Sequence, residues 1–124
     1  MRTTWGDTEL ARIYPNGVLP SACPSRVVLD HVTSKWGVLV LVSLADGPQR
    51  WSDVRRRAEG ISEKMLAQTL RTLQQDGFVH REAQPTVPPR VDYSLTPLGE
   101  ELAARLLPLV EWVAEHADEV VGNR

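Results

Sequence analysis

The chain has 124 residues, 42% of them hydrophobic and 24% charged, with a formal net charge of −2 and a single cysteine. That is one domain with enough apolar content for its own core, which excludes wholesale disorder and an intramolecular disulfide framework. The lone thiol suits a reducing cytoplasm, the longest apolar run (residues 38–42) is far too short for a bilayer, and no secretory apolar stretch marks the first twenty residues, so a cytoplasmic protein without a membrane partner is expected.

Charge is distributed unevenly. Residues 50–90 carry eight Lys and Arg against five Asp and Glu, whereas residues 91–124 carry two against seven. A polyanion would therefore dock on the middle of the chain. Residues 1–22 contain Pro15, Gly17 and Pro20 without a sustained period and are expected to form an irregular arm. Pro24 suits the first position of a helix over Pro24–Thr33, with Val27, Val28, Leu29 and Val32 as its apolar stripe. Residues 34–45 include the β-branched run GVLVLV, which fits a strand by propensity. The frame of Ser34 as N-cap and Gly47-Pro48 as stop favours a core helix that is apolar all round.

Ser52 is the expected cap of a short helix over residues 53–58, with Trp51, Val54 and Ala58 on one face. Ser62 is the expected cap of a helix over Glu63–Gln75, with Leu66, Leu70 and Leu73 buried and Gly77 as the stop. The turn between them has three residues, which makes the pair a helix-turn-helix candidate. Alternation with period two then marks strands at residues 79–84 and 91–95, joined by the loop Pro85-Thr86-Val87-Pro88-Pro89. Thr96-Pro97 starts a terminal helix with an unusually broad apolar surface: Leu98, Leu102, Leu106, Leu109 and Val113, widened by Ala103, Leu107, Val110 and Ala114. Such width suits a helix that packs on a second subunit as well as on its own core. Pro108 removes one hydrogen bond from this helix and is expected to kink it.

The order helix, helix, helix-turn-helix, hairpin, helix is that of a winged helix. The fold class expected is α+β, mostly α: a winged helix-turn-helix domain over residues 23–117 with N- and C-terminal dimerisation helices (the latter about 97–117), an arm over 1–22 and a tail over 118–124. The residues also resemble the HxlR family of winged-helix transcriptional regulators, relatives of the MarR group. The carriers are Cys23-Pro24, Lys35-Trp36, Trp51-Ser52-Asp53-Val54-Arg55-Arg56, Gly60-Ile61-Ser62 and the wing sequence VPPRVDYSLT from Val87 to Thr96, all in the family's order. Glu63 departs from the proline frequent there. The resemblance implies a homodimeric DNA-binding repressor or activator that responds to electrophiles, oxidants or another small-molecule effector, with a cysteine at the Cys23 position acting as the sensing thiol in some members.

In a helix-turn-helix the second helix enters the major groove. Its face opposite the leucines carries Lys64, Gln68, Arg71 and Gln75, groups that read base edges or hold phosphates. Ser62 and Ser52, each at the start of a helix, are further phosphate candidates, and Arg90 on the wing is the best phosphate or minor-groove candidate, ahead of Arg81. Of Arg55, Arg56 and Arg57, which point in successive directions, at most two can face DNA, and the rest are expected in solvent or paired with Glu59. Glu63 either repels phosphates, caps its own helix or accepts from a cytosine amine. The partner expected is double-stranded DNA carrying a palindromic operator. Cys23, just before Pro24, sits where a helix end favours a thiolate, with Arg26 one turn in; the alternative is a small residue buried at a helix start.

No cofactor, metal site or enzyme is expected: His31, His80 and His116 fall on different elements, and no phosphate loop or nucleophile elbow is present. A winged helix used only for protein contact is the other functional reading. Trp36, Tyr93 and Trp112 are either core aromatics or the lining of an effector pocket.

Overall fold

The computed structural model describes residues 4–122. The chain forms two compact units, one ending at Val32 and the other beginning at Thr33.

In the first unit the arm is not irregular throughout. A 3-10 turn at Trp5–Asp7 leads into helix α1 (Glu9–Ile13), where Thr8 Oγ1 accepts the Ala11 N–H. The capping threonine has no apolar period beside it, so the five-residue helix is not legible in the sequence. Helix α2 (Pro24–Thr33) begins at Pro24, as its fixed φ favours. Two bonds tie the arm to α2: the Tyr14 and Ser25 hydroxyls lie 2.7 Å apart, and Arg26 Nη1 donates to the Leu19 carbonyl at 2.9 Å. Only Val32 of the expected stripe is buried; Val27, Val28 and Leu29 are exposed in the single chain.

The second unit opens with α3 (Lys35–Ser43), capped by Ser34 Oγ accepting from the Gly37 N–H at 3.1 Å and extended by a 3-10 turn at Leu44–Asp46. Gly37, Val40, Leu41 and Ser43 are buried, so the frame outweighs the strand propensity of the valines, and α3 is the central core helix. A strand absent from the sequence expectation follows: β1 (Gln49–Arg50), two residues long and thus without a readable period. Then come α4 (Trp51–Arg57), α5 (Glu63–Gln75), β2 (Val79–Gln84), β3 (Arg90–Leu95) and α6 (Pro97–Gly122). The sheet is antiparallel in the order β1-β3-β2, with Gln49 opposite Tyr93 and Arg50 opposite Asp92. The expected two-stranded hairpin is therefore the larger part of a three-stranded sheet.

The core gathers Val40, Leu41, Leu44, Val54, Leu66, Leu70 and Leu73, all essentially inaccessible to water. Helix α5 stops at a Schellman motif: the Phe78 N–H donates to the Leu73 carbonyl and the Gly77 N–H to Gln74, with Gly77 at φ +85°. Helix α6 buries Gly99, Ala103 and Leu106 rather than the full leucine stripe, and it runs unbroken through Pro108 and beyond the expected tail boundary to Gly122. Its outer half leaves Leu109, Trp112 and Val113 about half exposed (54%, 53% and 50%). Among the described residues no single helix is long and apolar enough to cross a membrane.

Candidate nucleic-acid interface

Helix α5 is divided by its sequence into two faces. Leu66, Leu70 and Leu73 are buried, while Lys64, Gln68, Arg71 and Gln75, three and four residues apart, lie on the opposite side and are all exposed. Lys64, Gln68 and Arg71 have no hydrogen-bond or ion-pair partner among the described residues. The helix is held at its start by Ser62 Oγ, which accepts the Met65 N–H at 3.1 Å. The cap expected of Ser62 is present, and its hydroxyl hydrogen remains able to donate. The turn into α5 needs Gly60 at φ +94°, where a Cβ would stand 3.8 Å from the Trp36 ring. Trp36, half-buried, thus stands against the turn that aims the exposed helix.

The arginines of α4 have all found partners, and none of these is Glu59. Arg55 reaches Glu63 (Nη1–Oε1, 3.2 Å) and the Ile61 carbonyl, Arg56 pairs with Asp53 at 2.9 Å, and Arg57 pairs with Asp46 at 2.7 Å and with the Ser43 carbonyl. Glu63 therefore faces an arginine of the preceding helix, an arrangement not among those the sequence suggested. Ser52 is not a cap. It is the second residue of α4, whose N-cap is Arg50 without a side-chain bond, and it is exposed. The reason is β1: pairing to β3 ends at Arg50, and the helix starts directly after it.

The wing places Arg90 opposite Gln84, with Arg90 Nε donating to Asp92 Oδ1 at 2.9 Å. At its tip Val87 is fully exposed, and Thr86 Oγ1 donates to the Pro88 carbonyl. Arg81, opposite Tyr93, is exposed. Trp51 meets Tyr93 with ring centroids 6.4 Å apart, which fastens the start of α4 to the wing. A cleft beside this junction is lined by Arg50, Trp51, Ser52 and residues 86–91.

The structure thus brings Ser62, Lys64, Gln68 and Arg71 together on one helix, and Ser52 and Arg90 on one cleft. Cys23 belongs to the N-terminal unit; it is half-buried, its thiol free and its carbonyl accepting from the Arg26 N–H. The Arg26 guanidinium is engaged with Leu19 rather than the thiol. The three aromatics have separate surroundings: Tyr93 is buried beside Trp51, Trp36 stands against Gly60, and exposed Trp112 stacks on His116 at 4.3 Å. Arg50 is the cation that sequence reasoning overlooked. Its only signal was its place directly before Trp51.

A helix-turn-helix with one polar exposed face, followed by an antiparallel wing, defines a winged-helix regulator. The family model described as HxlR-like helix-turn-helix matches residues 31–121, and the chain belongs to that family. It is 56% identical over 102 residues to the HTH-type transcriptional regulator YtfH of Escherichia coli K12, covering 82% of this chain and 81% of that protein. Among solved structures it is similar to the putative regulator ytfH of Salmonella typhimurium (TM-score 0.81, 52% identity, 87% of this chain and 96% of that one). It is also similar to the redox regulator HypR in its oxidized form (0.69, 39%, 75% and 96%) and to diamide-treated YodB of Bacillus subtilis (0.64, 31%, 77% and 96%). The chain is a transcriptional regulator of the helix-turn-helix type.

Proposed function

We propose that the protein binds a palindromic operator in double-stranded DNA as a homodimer, with α5 in the major groove and the wing against the backbone. In this reading residues 23–117 act as the regulator and residues 1–22 are an appended arm. The observation that carries it is the row Lys64, Gln68 and Arg71, solvent-facing and unpartnered among the described residues, on a helix whose other face is locked into the core. A guanidinium can take guanine O6 and N7 together, and an amide can take adenine N6 and N7. Ser62 and Arg90 then hold phosphates and set the register. The dimer reading draws on exposed apolar side chains: Leu109, Trp112 and Val113 on α6, and Val27, Val28 and Leu29 on α2. Two α5 helices about 34–36 Å apart would meet half-sites one helical turn apart. Sequencing genomic fragments retained by the purified protein tests this. A shared palindrome supports it, while weak retention insensitive to salt would favour a winged helix that contacts only proteins.

A second reading concerns Cys23 and is favoured by the similarity to HypR and YodB. Peroxide or diamide would oxidise two Cys23 thiols, one per subunit, or one Cys23 thiol and a small thiol, to a disulfide; the two electrons and two protons pass to the oxidant, which leaves as two waters from peroxide or as the hydrazine from diamide. Mass spectrometry after mild diamide treatment tests it, and a Cys23 that resists both diamide and alkylation rejects it.

A further inference from the structure

We propose that Arg50 and Arg90 together hold one backbone phosphodiester of the duplex in the cleft beside the wing, which makes Arg50 a DNA contact in its own right. This rests on the reading of α5 as a DNA-binding helix. Arg50 is the register partner of Asp92 on β3, and Arg90 stands two residues along β3 from Asp92, so the side chains of Arg50 and Arg90 leave the same face of the sheet. They are diagonal neighbours across an antiparallel pair, about 7–8 Å apart at the backbone and within reach of one group placed between them.

Two cations set so close repel unless an anion lies near both. Asp92 is committed to Arg90 Nε, which leaves the terminal nitrogens of Arg90 to turn elsewhere. Arg50 has no carboxylate partner among the described residues, and Glu82, opposite Asp92, lies a strand farther off. The cleft that both arginines line adds the uncommitted Ser52 hydroxyl, and no carboxylate lines it. A neighbouring groove, which shares Trp51 and Ser52 with this cleft, differs: Glu59 and Glu63 line it, and its arginines, Arg55 and Arg56, are already paired. Two arginines and a hydroxyl, with the one adjacent carboxylate, Asp92, bonded only to Arg90 Nε, favour an anion in the cleft, and the duplex read by α5 supplies one as a phosphodiester.

The test uses the full-length chain, a random-sequence 30-base-pair duplex and a retained genomic fragment, each titrated across a salt series. Wild type is compared with R50A, R50K, R90A, the R50A/R90A double variant and R71A, and thermal melts confirm folding. R50A is expected to weaken both duplexes about tenfold and to flatten the salt dependence, whereas R50K keeps the slope. The double variant should lose less than the product of the single losses, because both side chains serve one phosphate. R50A binding like wild type while R71A is impaired overturns this site and leaves the α5 reading standing. Fully multiplicative losses overturn the shared phosphate. Absence of salt-dependent binding by the wild type overturns the α5 reading and this site with it.

Discussion

Arg55 Nη1 lies 3.2 Å from Glu63 Oε1, so the carboxylate in the first turn of α5 is tied to the helix before it across the helix-turn-helix turn. Both side chains are substantially exposed, at 45% and 72%, and such a pair contributes no more than about 1 kcal/mol to folding. In the proposed DNA-binding reading, its consequence lies in the charge presented to the duplex. Glu63→Gln removes a negative charge from the groove-entering end and frees Arg55, so DNA affinity should rise about threefold at low salt with the melting temperature nearly unchanged. Arg55→Ala should do the reverse on every duplex. Fluorescence anisotropy at two salt concentrations reads both variants.

Gly99 is required by packing. A Cβ there would stand 2.1 Å from the Phe78 carbonyl oxygen, the same oxygen that accepts the Thr96 N–H at 3.0 Å. Because the obstacle is backbone that already closes the end of α5 against the start of α6, it cannot swing aside. Gly99→Ala should lower stability by about 1–3 kcal/mol or more in urea unfolding. Ala104→Gly, on the exposed face of the same helix, should cost only about 1 kcal/mol.

Arg71 and Arg90 should separate by role. Arg71→Ala is expected to cost about 1–3 kcal/mol on the operator and to relax base preference. Arg90→Ala should weaken all duplexes alike and reduce the salt slope by about one for each phosphate no longer neutralised. Gel-shift titrations against matched and mismatched sites distinguish them, and identical behaviour of the two variants would reject the division.

The outer half of α6 gives a further test. Val113 is half exposed and Trp112 stacks on His116 at the surface, so Val113→Glu disturbs no packed core of the single chain. Sedimentation should show a dimer for the wild type and a shift to monomer for the variant, with operator affinity falling because each half-site is then bound alone.

Much of this is legible in the sequence where periodicity and punctuation agree. The leucines of α5, with Ser62 before and Gly77 after, mark that helix to the residue. The cap and stop around α3 outweigh its valines. What escapes is decided by distant partners. Ser52 looks like a cap until the backbone pairing of β1 with β3 ends at Arg50 and sets the helix start two residues earlier, at Trp51. Arg55 and Arg57 look available until Glu63 and Asp46 are folded beside them, since ion pairs eight and eleven residues apart leave no mark on local spacing, whereas the Arg56–Asp53 pair, three residues apart, is of helical spacing. The leucine stripe of α6 suggests one buried line, whereas the residues buried are Gly99, Ala103 and Leu106, and Gly99 lies against the Phe78 carbonyl and the Leu95 side chain. The candidate row on α5 is readable because a buried face defines its opposite. Arg50 is not, because a two-residue strand has no rhythm.

That short strand also governs how the molecule can deform. No linker separates Arg50 from Trp51, and the Trp51 ring stands beside Tyr93, so a rotation of α4 would disturb both β1 and the ring contact with β3. In the proposed DNA-binding reading, a wing fastened in this way to the helix that precedes α5 leaves much of the adjustment of fit to the duplex.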